Sequence, residues 1–423
     1  MAFQSKYLIY PVNKDVKLVF EPVFPLHVDA QANYSVRVYP LCGVKHYKRK
    51  VDASVDVFFE ATHALTVCGD ALELDVTFPQ EDAYEIRLMM GEELLDKLEV
   101  YALEEDLFGL TPYKGDNHMH TYFSDGRDTP MYMAANCCRR GYDYCAITDH
   151  RKYAPSVLAR EFYEPTGVDF LVMPGEEIHS PDNPVHIISL GACESITDWW
   201  QEDESEYRAA VEKEMQQVDD TLCAKDRYAV AACQAVFDRI RQAGGVSILC
   251  HPHWILGATD AFNQHEDITD YLFEHKKFDV LELIAGGAFE VGTQLQVSYY
   301  QEQGKMPIVG SSDAHSAENH RMMLGNYTIV FAEGLSVDCI RESIRQGRAV
   351  GGYDNKLFGD YRLLKYAYFL QRRYYAEHDR LRQQLSTAML RYASAQPGVD
   401  SEMAQKLKEV RPSELFATLR APV

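Results

Sequence analysis

The sequence predicts an α/β protein that begins with a β-rich region and ends in a helical tail. Three observations carry this. Apolar residues alternate with period two through about residue 105. From about 115 to 352, short apolar runs alternate with helix-like stretches. Beyond 358 the apolar residues step by four and three, as on one face of a helix. The 423 residues leave room for two or three domains, and 46% apolar with 25% charged residues is ordinary globular composition.

In the first region, assigned to 1–110, Val36 and Val38 alternate around Arg37. Leu72, Leu74, Val76 and Phe78 alternate with polar neighbours, as do Tyr84, Ile86 and Leu88, then Leu98, Val100 and Ala102. Such strands bury one face, so an antiparallel, sandwich-like domain is expected. His27, His46 and His63 are isolated there and read as ordinary histidines.

In the middle region, 114–352, the runs Tyr144–Ile147, Phe170–Met173, Val246–Leu249, Val280–Leu283 and Pro307–Val309 read as buried strands. Strand–helix alternation implies a mostly parallel sheet or barrel, whose functional groups gather past the strands' C-terminal ends. An acidic insertion at about 195–235 interrupts it. There Tyr207, Val211, Met215, Val218 and Leu222 mark the inner face of a helix rich in Asp and Glu. In the tail, 355–423, Tyr374, His378, Leu381, Leu385, Ala388 and Tyr392 form a short heptad seam on a basic helix. Pro397-Gly398 ends that helix, and a last short one is expected.

The net charge is −22, which argues against nucleic acid as a partner and leaves a small anion held by metal ions. No run is apolar enough to span a membrane and no secretory signal is read at the N-terminus. Ten scattered cysteines without a CxxC pair fit reduced thiols in a cytoplasmic protein.

Chemistry concentrates in one set of motifs. His118-Met119-His120 places two imidazoles on one side of an extended segment, and Asp125 follows in Ser124-Asp125-Gly126. Thr148-Asp149-His150, Pro174-Gly175-Glu176-Glu177, Cys250-His251-Pro252-His253 and Gly310-Ser311-Ser312-Asp313-Ala314-His315 each close an apolar strand, and His186 opens another. Imidazole nitrogen and carboxylate oxygen are the donors that hold zinc, manganese or iron.

These motifs resemble the PHP family (polymerase and histidinol phosphatase domain) over roughly 114–352. The resemblance rests on HxHT-xx-SDG at 118–126, TDH at 148–150, PGxE at 174–177, HxxxLG at 186–191, HP at 251–252 and GSxDAH at 310–315. Ile344-Arg345-Gln346-Gly347-Arg348 looks like the family's closing helix and turn. The resemblance implies a distorted (β/α)7 barrel with two or three divalent metals (manganese, iron or zinc). It implies His118, His120, Glu177 and Asp313 around one metal. Glu177, bridging, would share a second with His186 and His251. Asp125, His150 and His315 would complete a third.

The same resemblance implies a phosphoesterase that hydrolyses a phosphate mono- or diester of a small metabolite or nucleotide through a metal-bridging hydroxide. Asp313, His315 and Arg151 are its candidate catalytic residues. Arg127, Arg151, Arg321 and His253 are the candidate substrate contacts, with Lys152, Arg348 and His179 nearby. Asp149 is expected to orient a ligand histidine. An amidohydrolase-type hydrolase, a nuclease and a non-catalytic metal-stabilised module are the rival readings. The tail helices are expected to pack on their own chain or to join a homo-oligomer.

Overall fold

The computed structural model describes residues 3–24, 28–41, 48–49, 55–56, 62–256, 261–286, 291–304, 306–318, 325–394 and 400–422. His27, His46, Arg321 and Pro397-Gly398 lie outside the described residues. The chain divides into two compact units. One is Met1–Leu110 with Lys365–Tyr374 and Glu414–Val423; the other is Thr111–Leu364 with Tyr375–Ser413.

The first unit holds two sheets. One orders Phe3–Ser5, Asp15–Pro22, Ala71–Thr77 and Thr66–Cys68. The other orders Ile9–Pro11, Glu93–Leu103, Asp82–Met90, Tyr34–Pro40 and Thr62–Ala64. The alternating residues face a shared core: Leu18, Phe20 and Leu72 from the first sheet pack with Val36, Ile86 and Val100 from the second. Each such side chain contributes about 1.5–3 kcal/mol on burial. Ile9–Pro11 pairs parallel with Tyr101–Leu103, whereas the other described pairings in these sheets are antiparallel. His63 is exposed.

The second unit carries the predicted strands. Leu171–Met173, Tyr144–Ala146, Thr111–Asp116, Asn326–Ala332, Ala349–Tyr353 and Lys356–Gly359 form a six-stranded sheet in that order. Gly175–Ile178, Ile187–Leu190, Val246–Leu249, Val280–Ala285 and Ile308–Ser311 form a five-stranded one. The two curl around one interior that includes Tyr144, Met173, Ile188, Ile248, Val309 and Val330. Gly310 permits their close approach, since a Cβ there would meet the Tyr327 carbonyl oxygen at 2.7 Å and Gly351 Cα at 3.2 Å.

The pairing corrects the expectation of a mostly parallel sheet. Thr111–Asp116, Tyr144–Ala146 and Leu171–Met173 run parallel, as do Val246–Leu249, Val280–Ala285 and Ile308–Ser311. Gly175–Ile178, Ile187–Leu190 and Val246–Leu249 are successively antiparallel, and so are Thr111–Asp116, Asn326–Ala332 and Ala349–Tyr353. The link from Ile178 to Ile187 is too short for a parallel crossover, which takes a dozen or more residues.

The acidic insertion folds as helices Thr197–Glu202, Glu204–Met215 and Ala224–Gln242. Tyr207, Val211 and Val218 are buried, while Met215 and Leu222 pack partly buried against the same core. Asp203, expected on the acidic face, caps Glu204–Met215 by accepting from the Ser205 and Glu206 amides.

The single tail helix expected at 360–396 is two, Tyr361–Arg373 and Tyr375–Ser394. The seam residues His378, Leu385 and Ala388 are buried. Tyr375–Ser394 packs on Pro130–Arg139. It carries Arg382, fully buried, whose guanidinium meets Asp143 and the Asp169 carbonyl. His378 Nε2 reaches Asp143 at 2.9 Å, and Lys114 Nζ reaches Asp379 at 2.9 Å.

Burial alone would raise the Asp143 pKa, but Arg382 and His378 outweigh it and hold the carboxyl down at about 2. A carboxyl lowered in the folded state stabilises above its unfolded value, near 3.9, and loses that contribution as pH falls towards 2. Asp143 should therefore contribute about 2 kcal/mol at pH 5, draining away below pH 4. Chemical denaturation between pH 5 and pH 2.5 checks this: Asp143→Asn should show a shallower loss than the parent, and equal slopes would refute it.

Candidate metal centre

The strand ladders continue past their ends and set the motifs side by side. Met119 bridges Ala314, with the His120 amide on the Ala314 carbonyl at 2.8 Å and the Asp313 amide on that of His118 at 2.9 Å. On the other side the Thr148 amide bonds the Met119 carbonyl at 2.8 Å, and His150 bridges Glu177. The DAH, HxH, TDH and PGxE segments thus form adjacent rows. His186 arrives from the N-terminal end of its strand because that strand runs antiparallel to its neighbours. Two candidate ligands, His251 and Asp313, have left-handed backbone (φ 29° and 51°), a conformation costly outside glycine.

Glu177 lies at the middle, fully buried. Its Oε2 is 3.2 Å from both His118 Nε2 and His120 Nε2, and 2.8 Å from His150 Nδ1. Asp313 Oδ1 joins the first two at 3.4 and 3.2 Å. Glu177 Oε1 faces His186 Nδ1 at 2.8 Å and His251 Nε2 at 3.3 Å. Alongside, Asp125 Oδ2 is 3.1 Å from His315 Nε2 and 3.5 Å from His150 Nε2. The nine predicted ligands therefore converge around Glu177 and Asp125. Glu176 does not join them: its buried carboxylate accepts from the Ile196 and Thr197 amides.

This arrangement fits cations better than hydrogen bonds. His118 Nε2 and His120 Nε2 face each other at 3.1 Å, and each also faces Glu177. A proton between any two of these atoms leaves the others unsatisfied. His186 Nδ1 and His150 Nδ1 approach Glu177 to 2.8 Å, yet both are buried without hydrogen-bond geometry, and His120 Nδ1 is buried 3.7 Å from Asp125 Oδ1, beyond hydrogen-bond distance. Donor atoms pointing at a common centre rather than at one another are what a bound cation requires.

Partners behind the ligands fix their tautomers. His118 Nδ1 donates to Glu282 Oε1 at 3.0 Å, which leaves Nε2 as a lone pair for metal. His315 Nδ1 donates to the Asp313 carbonyl at 3.0 Å, with the same result. Sequence reasoning missed Glu282. Its signal was a lone carboxylate inside the apolar run Val280–Leu283, every residue of which is buried. Cys250, read only as a buried thiol, brings Sγ to 3.8 Å from Glu177 Oε1, and it groups with His118, His251 and Glu282. His179 stacks on His186 with ring centroids 3.8 Å apart and groups with His150 and Glu177.

The electrostatics follow the geometry. Burial alone would raise the Glu177 pKa, but His118 and His186 outweigh it and hold it well below the carboxylate range. Asp313 is held down against burial by His118 and His120, and Asp125 by its hydrogen bonds to His150 and His315. Burial would lower His150, yet Asp125 and Glu177 carry it up to about 10. Burial prevails at His186, which falls to about 4 despite Glu177.

The remaining expectations are placed as follows. Among the described residues, the Asp149 side chain reaches no histidine. It accepts from the Thr121 amide at 2.8 Å and hydroxyl at 2.7 Å and from the Ser124 hydroxyl at 2.6 Å, bracing the turn between His120 and Asp125. Asp125, His150, Glu177, His186, His251, Trp254, Asp313 and His315 line a cleft of about 310 Å³. Arg151, left-handed at φ 56°, lines neighbouring cavities of about 680 and 590 Å³. His253 lines another of about 400 Å³. Arg127 is exposed, its amide bonded to the His315 carbonyl.

The curled α/β sheet brings imidazoles and carboxylates from its strand ends to one buried glutamate, and these clusters suggest divalent ions. Residues 296–349, which include Asp313 and His315, match the family model described as PHP-associated. That match lies inside the region whose motifs resemble the PHP family.

The DNA polymerase/3'-5' exonuclease PolX of Bacillus subtilis (strain 168) is 44% identical over 57 residues. That is 14% of this chain and only 10% of the relative's length. Among solved structures, a two-domain protein containing a predicted PHP-like metal-dependent phosphoesterase, from Bacteroides vulgatus, is 22% identical, with 61% of this chain and 70% of that one covered and a TM-score of 0.44. An amidohydrolase from Chromobacterium violaceum is 16% identical, with 48% and 87% covered and a TM-score of 0.33. Among the described residues no helix is long and apolar enough to cross a membrane, and the cysteines are free.

Proposed function

We propose that the chain is a metal-dependent phosphoesterase acting on a phosphate mono- or diester of a small molecule, with two to three manganese, iron or zinc ions. The observation that carries this reading is Glu177, whose two oxygens each face a separate set of imidazoles. Divalent ions held there supply Lewis-acid stabilisation of phosphoryl charge and water activated at neutral pH. The chain's own part is to hold them. His118, His120 and Asp313 close on Oε2, His186 and His251 on Oε1, and Asp125, His150 and His315 form the third set. Glu282 keeps His118 in the ligating tautomer. With a net charge of −22 the protein does not attract polyanions at long range, so a substrate anion is held only within the cleft.

The test is elemental analysis of purified protein, then a panel of phosphate esters and carboxamides with and without manganese. Chelation should abolish phosphoesterase activity and added metal should restore it. Full activity in metal-free protein would overturn the reading, and a steady preference for carboxamides would assign an amidohydrolase instead.

Arg151, which follows His150 directly and lines the cavities beside the cleft, is the proposed phosphate clamp, since its guanidinium offers two parallel hydrogen bonds. Arg151→Ala is expected to lower kcat/KM about 10-fold without changing metal content, and Arg151→Lys to recover little. Unchanged kinetics would pass the role to Arg127.

A further inference from the structure

The metal cleft opens beside a recess of about 400 Å³ with which it shares His251, Trp254 and Asp313. That volume exceeds what the phosphate needs and lies in the range of small-molecule sites. The described lining contains no lysine or arginine, and its one charged carboxylate is the ligand Asp313. The cavities that Arg151 lines share none of their described lining with the cleft.

The recess is built from rings and a few neutral polar groups. Trp254 is 37% exposed, and its indole lies 5.6 Å from the rings of both His186 and His251, so a flat surface stands at the edge of the cleft. His253 is 4% exposed, wedged between Phe262 and Tyr299 at 5.8 and 5.3 Å, with Nδ1 buried and unpartnered. Thr293 donates its hydroxyl proton to the Ala285 carbonyl, and Gln296 donates one amide proton to the Glu282 carbonyl. Gly292 lets helix Val291–Gln303 close the wall, because a Cβ there would meet the His253 carbonyl oxygen at 2.5 Å.

We infer that this recess receives the leaving group, and that the preferred substrate is the phosphate ester of an uncharged, ring-bearing alcohol stacked on Trp254 beside His253. The inference rests on the phosphoesterase reading and deepens it. A ring fills the recess and stacks on the indole, whereas a second phosphate or a carboxylate meets no lysine or arginine in the described lining and lies against Asp313. A short alkyl alcohol leaves the recess wet and gains little. Stacking on one aromatic side chain changes affinity by about 10- to 100-fold.

Manganese-loaded protein, with metal content measured, is assayed on adenosine 5'-monophosphate, phenyl phosphate and glycerol phosphate. The ring esters should exceed glycerol phosphate in kcat/KM by about 10-fold or more. Trp254→Ala should collapse that ratio towards one, Trp254→Phe should restore much of it, and neither should alter metal content. The nucleotide surpassing phenyl phosphate would identify a nucleoside as the ring source, and the reverse a simple aromatic alcohol. Comparable kcat/KM for all three, or a ratio untouched in Trp254→Ala, would overturn the assignment while leaving the phosphoesterase reading intact. Metal-loaded protein that hydrolyses none of the three would overturn both.

Discussion

Glu177→Gln is expected to cost at least one metal ion per chain and about 100-fold or more in turnover. The substitution keeps the volume and removes the charge. An amide offers one oxygen and one nitrogen donor where the carboxylate offers two acceptors. Either His118 and His120 or His186 and His251 must then face an N–H that no metal can share. Elemental analysis and turnover on one preparation check this. Glu176→Gln provides the contrast. Its carboxylate accepts amides of the Ile196–Thr197 turn, a role a glutamine oxygen fills in part, so full metal content and much milder kinetics are expected. Reversed effects in the two variants would contradict the assignment of Glu177 as the shared ligand.

Arg382→Ala should destabilise the second unit by about 3–5 kcal/mol, the range for removing one partner of a buried ion pair. Arg382 and Asp143 are both inaccessible, and loss of the guanidinium leaves a buried carboxylate with His378 and the Lys114 amide as its remaining partners. Denaturant midpoints check this. Asp143→Asn combined with Arg382→Met should recover part of the loss, because a neutral pair avoids the stranded charge. A loss below about 1 kcal/mol in Arg382→Ala would show that the pair acts as an exposed one.

Much of the site was legible because its chemistry is local in sequence. HxH needs only an extended backbone to aim two rings together, and each further motif sits where a strand ends. The strands themselves were legible from apolar runs such as Val246–Leu249, though not their directions. Nothing in Ile187–Leu190 shows that it runs against its neighbours, and that reversal is what lets His186 serve from a strand's beginning. Glu282 was hidden for a related reason. A single acid in an apolar run looks like noise until its partner is known, and the partner, His118, lies 164 residues away. Asp149 misled because it sits beside His150 in sequence while its side chain turns to Thr121 and Ser124. The heptad seam of the tail signalled burial for Tyr374, His378, Leu385 and Ala388, while Leu381 and Tyr392 are only partly buried, and periodicity cannot reveal that Arg382, outside the seam, is buried too.

The first unit closes with the far end of the chain. The Leu8 amide bonds the Leu419 carbonyl at 2.8 Å, the Ala421 amide bonds that of Ile9 at 2.8 Å, and Tyr101 packs on Tyr366 and Phe369. During synthesis a ribosome delivers residues 1–110 long before these partners exist. Domains usually fold in order of emergence, the N-terminal one first. Here the nascent N-terminal sheets must wait, with the strand Ile9–Pro11 lacking its closing neighbour, until the second unit's sequence has been made and residue 421 has cleared the exit tunnel. Residues 1–110 are thus made before the second unit yet finish after it, and during that interval they present the exposed strand edge that chaperones guard.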